Sequence, residues 1–258
     1  MTSNLPLPTR RRMCSRLVIA VAAPGWIASG WAQAQATGRT EALYEGVLGT
    51  SLIGMTLVAP RGADGRLTGH YFYGKFLKDI PLTGSFQGGR LTLREASGGT
   101  FTLDLVGNGT GGGKPLDFSN SIGLTGVWTQ GGKRLDVTLG NTANRQAGGR
   151  RYEQVTKETD EEFEVRVQGF HRAVLAGDRA EAARFVDFPL RVNQGGKGRE
   201  IASAEQLHAA WDQVFTRACL NALKEALPHD MFVSNGRAMI GNGVAWFSAN
   251  GAVAINVP

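Results

Sequence analysis

The sequence predicts an all-β N-terminal half, an antiparallel sheet or small barrel, followed by an α+β half. Three observations carry this. Residues 41–149 are rich in Gly and Thr and alternate apolar with polar positions, whereas from Thr159 the apolar residues recur at helical spacing. Turn signals cut the first half at intervals of roughly ten residues, the rhythm of an up-and-down antiparallel sheet. Helix-capping patterns open segments of the second half. Between them runs NTANRQAGGRRYEQVTKE, polar and Gly-containing as linkers are, with residues 150–158 read as the linker proper.

Residues 1–36 stand apart from both halves. A basic stretch (TRRRMCSR), an apolar stretch (LVIAVAAPGWIASGWA) and small residues (AQAQA) have the layout of a secretory signal, cleaved near Ala34 or Ala36. Pro24 and Gly25 break the apolar run, which is shorter than the roughly 20 residues a membrane span needs. An uncleaved anchor is the alternative. The arginines before the apolar stretch also resemble a twin-arginine signal, so two export routes stay open. The expected location is periplasmic or secreted, with no membrane span after cleavage. Cys14 would leave with the signal, and the remaining Cys219, in the apolar run RACLNAL, is expected to pack in a core rather than act as a nucleophile.

The chain has 28 basic and 22 acidic side chains. Four arginines and no acid fall in residues 1–36, so 24 basic face 22 acidic residues beyond them. A balance that even leaves no electrostatic footprint for nucleic acid.

In the first half, YEGVLG, SLIGMTLVAP, LTGHYFYG, GRLTLREA, TFTLDLVG and KRLDVTLG read as strands. Asp64-Gly65, QGG (87–89), SGG (97–99) and QGG (130–132) read as turns. The phrases LTGHY (67–71), LTGSF (82–86) and LTGVW (124–128) each place Leu, Gly and an aromatic residue on one strand face. Glycine there leaves room for a neighbouring ring or a bend. The loop GNGTGGGKP (107–115) is not read as a phosphate cradle, because Lys114 is followed by Pro115 and more strand rather than by a helix N-terminus.

In the second half, Thr159 and Glu162 form a capping box, and Phe163, Val167, Phe170 and Val174 make one apolar stripe that ends at Gly177. Asp178 and Glu181 cap a second helix. FPLRVN (188–193) alternates as a strand, QGGKGRE is a turn, and Ser203 caps a third helix with the stripe Leu207, Trp211 and Val214. DMFVSN, RAMIGNG, VAWFSAN and GAVAINV close the chain as strands.

The stretches HRAVLAGD, FPLRVN, ASAEQLHAAWDQVF, AMIGNGVAWF and AVAINV, in that order over about 100 residues, resemble the nuclear transport factor 2-like (SnoaL-like) superfamily. The resemblance implies a cone in which a strongly curved sheet wraps on helices around an apolar pocket, often in homodimers. Members include enzymes, binders and interaction modules, so the fold implies no reaction. The steroid isomerases among them use an Asp base with a Tyr and a protonated acid. All four tyrosines here (Tyr44, Tyr71, Tyr73, Tyr152) precede residue 159, so that mechanism is expected to lack its phenol. In the first half, YFYGKFLKDIPLTGSFQGGRLTLRE is similar to glycine-rich β modules of uncharacterised secreted bacterial proteins. Lys75, Lys78 and Asp79 within it are expected to decorate a hairpin.

Candidate acids and bases are His171, Asp187, His208, Asp212 and Asp230. His208 and Asp212 lie four apart on one helix and can meet, with a surface or capping role expected. Candidate ligand contacts are His171, Arg191, Asn193, Trp211 and Trp246. Arg191 and Asn193 oppose Leu190 and Val192 on FPLRVN, so they face solvent or a partner if the apolar pair lines the interior, and the cavity if it does not. No metal-ligand spacing is present and no cofactor is expected. The reading is an exported, non-enzymatic two-domain protein that binds a small apolar or anionic molecule, or a partner protein, through its C-terminal domain. Alternatives are an isomerase or hydrolase using His171 or an Asp, and a cell-envelope interaction or inhibitor module.

Overall fold

A computed structural model describes residues 39–59, 65–109 and 115–258. The expected export signal, Cys14, Asp64 of the expected Asp-Gly turn and the centre of the glycine loop lie outside the described residues.

The first half closes into an eight-stranded barrel. Its strands are β1 (Thr40–Leu48), β2 (Ser51–Val58), β3 (Arg66–Tyr73), β4 (Ile80–Gln87), β5 (Arg90–Glu95), β6 (Thr100–Gly107), β7 (Ser121–Gln130) and β8 (Lys133–Gln146). Each pairs antiparallel with the next, and β8 returns to β1 with Arg145 opposite Glu41. Closure removes both sheet edges. Leu57, Leu67, Tyr71, Leu93, Phe101 and Leu124 are buried in the interior cluster, so the barrel is a packed core rather than a ligand cavity. The glycine pairs at 88–89 and 131–132 and Gly98 take positive φ in the tight turns between strands.

The three LTG phrases lie on β3, β4 and β7. A Cβ on Gly69, Gly84 or Gly126 would stand 2.1, 1.9 or 2.1 Å from the carbonyl oxygen of Thr56, Thr92 or Thr102. The room that glycine leaves is thus taken by the backbone of the neighbouring strand, as coiling strands require in a small barrel. Two of the aromatic residues converge on one carboxylate. Tyr71 Oη and Trp128 Nε1 donate to Glu95 Oε1 at 2.9 and 2.6 Å, and Ser97 Oγ donates to Oε2 at 2.6 Å. Glu95 is buried with these three donors, which answers the cost of taking a carboxylate out of water.

The second half holds helices α1 (Asp160–Ala176), α2 (Arg179–Arg184), α3 (Ala204–Ala209), α4 (Trp211–Val214) and α5 (Arg217–Lys224). Its strands are β9 (Val186–Gln194), β10 (Lys197–Ile201), β11 (Phe232–Ser234), β12 (Arg237–Ile240), β13 (Ala245–Ser248) and β14 (Gly251–Val257). The sheet order is β10-β9-β14-β13-β12-β11, antiparallel except between β9 and β14. Both bonds of the Thr159–Glu162 capping box form, and Gly177 ends α1 at φ 70°. Phe163, Val167, Phe170 and Val174 are all buried, packed in one cluster with Leu190, Phe247 and Ile255. Among the described residues no helix is long and apolar enough to cross a membrane.

Four local expectations need correction. The predicted third helix breaks at Ala210 into α3 and α4, with only α3 receiving a side-chain cap, from Ser203. RACLNAL forms a further helix, α5, capped by Thr216. KGREI is a strand, leaving only the two glycines at 195–196 for the turn. The polar stretch at 141–158 is not wholly a connection either: β8 runs on to Gln146, held by pairing with β1. Barrel and second sheet belong to one compact unit. At their junction a Cβ on Gly74 would lie 2.7 Å from Leu227 Cδ2.

Candidate functional site

The candidate ligand contacts do not share a site. Arg191 is exposed, opposite the buried Leu190 and Val192, and donates from Nε to Asn193 Oδ1 at 3.1 Å. Asn193 in turn donates to Asn256 Oδ1 at 2.8 Å. Trp211 is buried against Phe215 with ring centroids 4.4 Å apart, and Arg179 lies over its ring. Trp246 Nε1 donates to the Gly243 carbonyl at 3.0 Å. Of the five, His171 lines a cleft of about 660 Å³.

The acid–base candidates are committed elsewhere. His208 and Asp212 are joined through Arg179, which donates to the His208 carbonyl and to the Asp212 carboxylate, while His208 Nε2 bonds the Arg179 carbonyl at 3.1 Å. Asp187 accepts from Ser248 Oγ at 2.5 Å. Cys219 is fully buried, and burial pushes its thiol up to about 11, away from the thiolate a nucleophile needs. Burial lowers the His171 pKa against the opposing pull of the Leu223 carbonyl, 2.6 Å from Nε2. A carbonyl only accepts, so Nε2 carries the ring proton and Nδ1 is left as an acceptor.

Asp230 belongs to a buried ionic network at the junction of barrel and sheet, built mostly from residues without a local signature. Its Oδ2 accepts from Thr56 Oγ1 at 2.6 Å and lies 2.8 Å from His70 Nε2, both barrel groups. Oδ1 faces Arg145 Nη2 at 2.8 Å and Arg151 Nε at 3.3 Å. Burial alone would raise the Asp230 pKa. His70, Arg145 and Arg151 outweigh it and hold the carboxyl well below the usual range. Arg151 also pairs with Asp79, and Arg145 with Glu41. Asp79 is therefore not hairpin decoration: its side chain turns inward to Arg151 and His229, while Lys75 and Lys78 beside it stay exposed.

His229 lies between two carboxylates, with Nδ1 2.5 Å from Glu164 Oε2 and Nε2 2.8 Å from Asp79 Oδ1. Serving both acceptors takes a proton on each nitrogen, which is the imidazolium. Burial opposes that charge, yet Asp79 and Glu164 prevail and push the pKa up to about 9. Glu164 Oε1 accepts from Tyr152 Oη at 2.6 Å and from the Asp230 amide at 3.1 Å, and Tyr152 Oη accepts from the Met231 amide at 3.0 Å. Tyr152 thus corrects the expected absence of a phenol. It precedes α1 in the chain but lies in the core of the second half, with its hydroxyl already both donating and accepting.

Glu45 lies at the same junction without such help. It borders a small void of about 20 Å³ together with Thr142, Asp230 and Asn242, and burial by itself pushes its pKa up to about 7. The folded state then holds a proton that the unfolded chain, with its ordinary value of 4.5, has released. Stability therefore falls as pH rises from 4.5 to 7 and stays reduced above. Glu45→Gln is expected to raise stability by about 1–3 kcal/mol at pH 8 and to leave it nearly unchanged at pH 4. Thermal melts at the two values check this, and an equal gain at both would show that charge is not the cause.

Two open clefts flank the network. One, of about 520 Å³, is lined by Glu41, His70, Arg145, Arg150, Arg151 and Glu153, among others. Its arginines are already matched: Arg145 by Glu41 and Asp230, Arg151 by Asp79 and Asp230, Arg150 by the Thr156 and Glu158 carbonyls and Asp160. The other, of about 660 Å³, runs between Leu52, Gly74, Lys75, Phe76 and Leu77 of the barrel and Gln168, His171, Arg172, Lys224 and Leu227 of the second half. Its lining has three cations and no carboxylate. Among the described residues no ion pair engages Lys75, Arg172 or Lys224. This second cleft presents unmatched positive charge beside apolar walls. Of its residues, sequence reasoning found only His171, because the others lie on a hairpin turn, a helix flank and a helix end that nothing local connects.

No protein-family model, curated protein or solved structure matches the chain.

Proposed function

We propose that this is an exported, non-enzymatic binding protein that takes a small amphipathic anion in the cleft between its barrel and its second sheet. In this reading the second half is a nuclear transport factor 2-like module whose working pocket is shared with the barrel rather than enclosed in a cone of its own. The observation that carries the proposal is the lining of the 660 Å³ cleft: Lys75, Arg172 and Lys224 with no carboxylate among them, beside Leu52, Phe76, Leu77 and Leu227. The volume falls in the range of ligand pockets, and apolar and polar side chains share the lining about equally, with the cations placed to fix an anionic head. His171 adds a neutral acceptor, suited to a hydroxyl on the same ligand. A catalytic reading is weaker, since the ionisable groups nearest one another are closed into pairs across the junction.

Dodecyl phosphate below its micelle concentration tests this, with dodecanol and inorganic phosphate as controls. At about 100 times its dissociation constant the amphipath is expected to stabilise the protein by about 2.7 kcal/mol, a rise in Tm of about 5–10 °C. The control lacking a charge and the control lacking a chain are expected to do much less. Replacing both Arg172 and Lys224 by Glu is expected to remove the shift. Equal stabilisation by dodecanol, or a shift that survives the double replacement, would sink the proposal.

A further inference from the structure

We infer that the rim of this cleft docks on an anionic membrane surface with Phe76 as the inserted wedge. The inference rests on the cleft being the ligand site and makes a membrane lipid the source of the anion. Phe76 is 68% exposed, more than any other large hydrophobic side chain described. It is held out by a tight turn after β3, where the amides of Phe76 and Leu77 both donate to the Tyr73 carbonyl at 2.9 and 2.8 Å. Leu77 takes φ 51°, a left-handed conformation unfavourable for a leucine. Strained turns of this kind persist where the surrounding structure imposes them, and they cluster at ligand clamps and other working sites.

The charges around the ring suit the same partner. Lys75 Nζ stands 5.5 Å from the Phe76 ring centroid, and Lys78 is exposed two residues on. Asp79, the nearest acid in the sequence, is drawn into the junction by Arg151 and His229, which leaves the turn itself cationic. Arg172 and Lys224 line the opposite wall. Val165, 61% exposed, lies three and seven residues before Gln168 and Arg172 and so extends the same face of α1. An exposed ring set among cations matches a bilayer interface, where the ring enters the head-group region and the cations meet lipid phosphates. A protein partner would call for a continuous apolar patch, and the apolar points here are separated.

Sedimentation with vesicles tests the proposal. The protein is expected to pellet with phosphatidylcholine mixed with phosphatidylglycerol, far less with phosphatidylcholine alone, and less as salt rises. Phe76→Ser is expected to weaken binding about tenfold or more, as loss of one inserted aromatic side chain predicts. Lys78→Glu, outside the cleft lining, should weaken it by a similar factor. In a Phe76→Trp variant, the added emission should shift to the blue on vesicles. Thermal melts of these exposed-site variants show whether each is folded. Binding unchanged by Phe76→Ser, no blue shift, or equal binding to neutral vesicles would overturn the docking. If dodecyl phosphate still stabilises a protein that no vesicle pellets, the membrane inference falls and the cleft reading stands. If neither probe acts, both fall.

Discussion

Asp230→Asn is expected to cost about 3–5 kcal/mol of stability, the range found when one partner of a buried ion pair is removed. The replacement isolates the charge. Asn matches Asp in size and tolerates the left-handed backbone that residue 230 adopts, at φ 46°. What is lost is the anion facing Arg145, Arg151 and His70 from a side chain only 1% exposed. Glu41 and Asp79 retain part of the pairing of the two arginines, which places the expected value towards the lower end. Because Thr56, His70 and Arg145 belong to the barrel and Asp230 to the second half, the variant is also expected to unfold in two separated transitions where the parent shows one. Urea unfolding followed by tryptophan fluorescence and by far-UV circular dichroism checks both points. A loss below about 1 kcal/mol with one transition retained would mean that other contacts hold the halves together.

The second large effect depends on pH. His229 has its pKa raised from 6.5 to about 9 in the folded state, so its ion pairs contribute fully below pH 6.5 and are lost as pH climbs through 9. The difference corresponds to about 3 kcal/mol across that window. Stability measured from pH 6 to 10 should therefore decline, and His229→Gln should flatten the decline while lowering stability at pH 6. Glu45 acts in the same sense at lower pH, between 4.5 and 7, so the two windows are separable by replacing each residue alone. An unchanged slope in His229→Gln would assign the decline to other groups. Asp79 and Asp230 have lowered pKa values, so their contribution is kept until pH falls through the acidic range. The junction is thus expected to be most stable in mildly acidic solution.

Much of the architecture was legible because it is written in local patterns. Alternation and Gly-rich turns marked the barrel strands, and the stripe Phe163, Val167, Phe170 and Val174 with its Thr159 cap marked α1. Legibility failed where pairing outranked local preference. KGREI became β10 because β9 offered it an antiparallel edge, and the polar residues to Gln146 continued β8 because β1 needed a partner to close the barrel. RACLNAL gave no stronger local sign than an apolar run, although Thr216 caps it.

The candidate site was less legible, for a physical reason. Asp79, Glu164 and His229 meet although 65 and 150 residues separate His229 from its two carboxylates. Tyr152 and Arg151 sit in a polar stretch with the look of a linker, yet both are drawn into the junction. Composition and period determined by themselves that there would be a β half and an α+β half, where the barrel would turn and which face of α1 would be buried. Only the tertiary structure decided how charges are spent or left over. It paired Asp79 and Asp230 with arginine and histidine inside the junction and, among the described residues, left Lys75, Arg172 and Lys224 without an ion pair around a partly apolar cleft. Hydrophobic periodicity is a property of neighbours along the chain, whereas the partner of a charge is chosen by whichever segment the fold brings within a few ångströms.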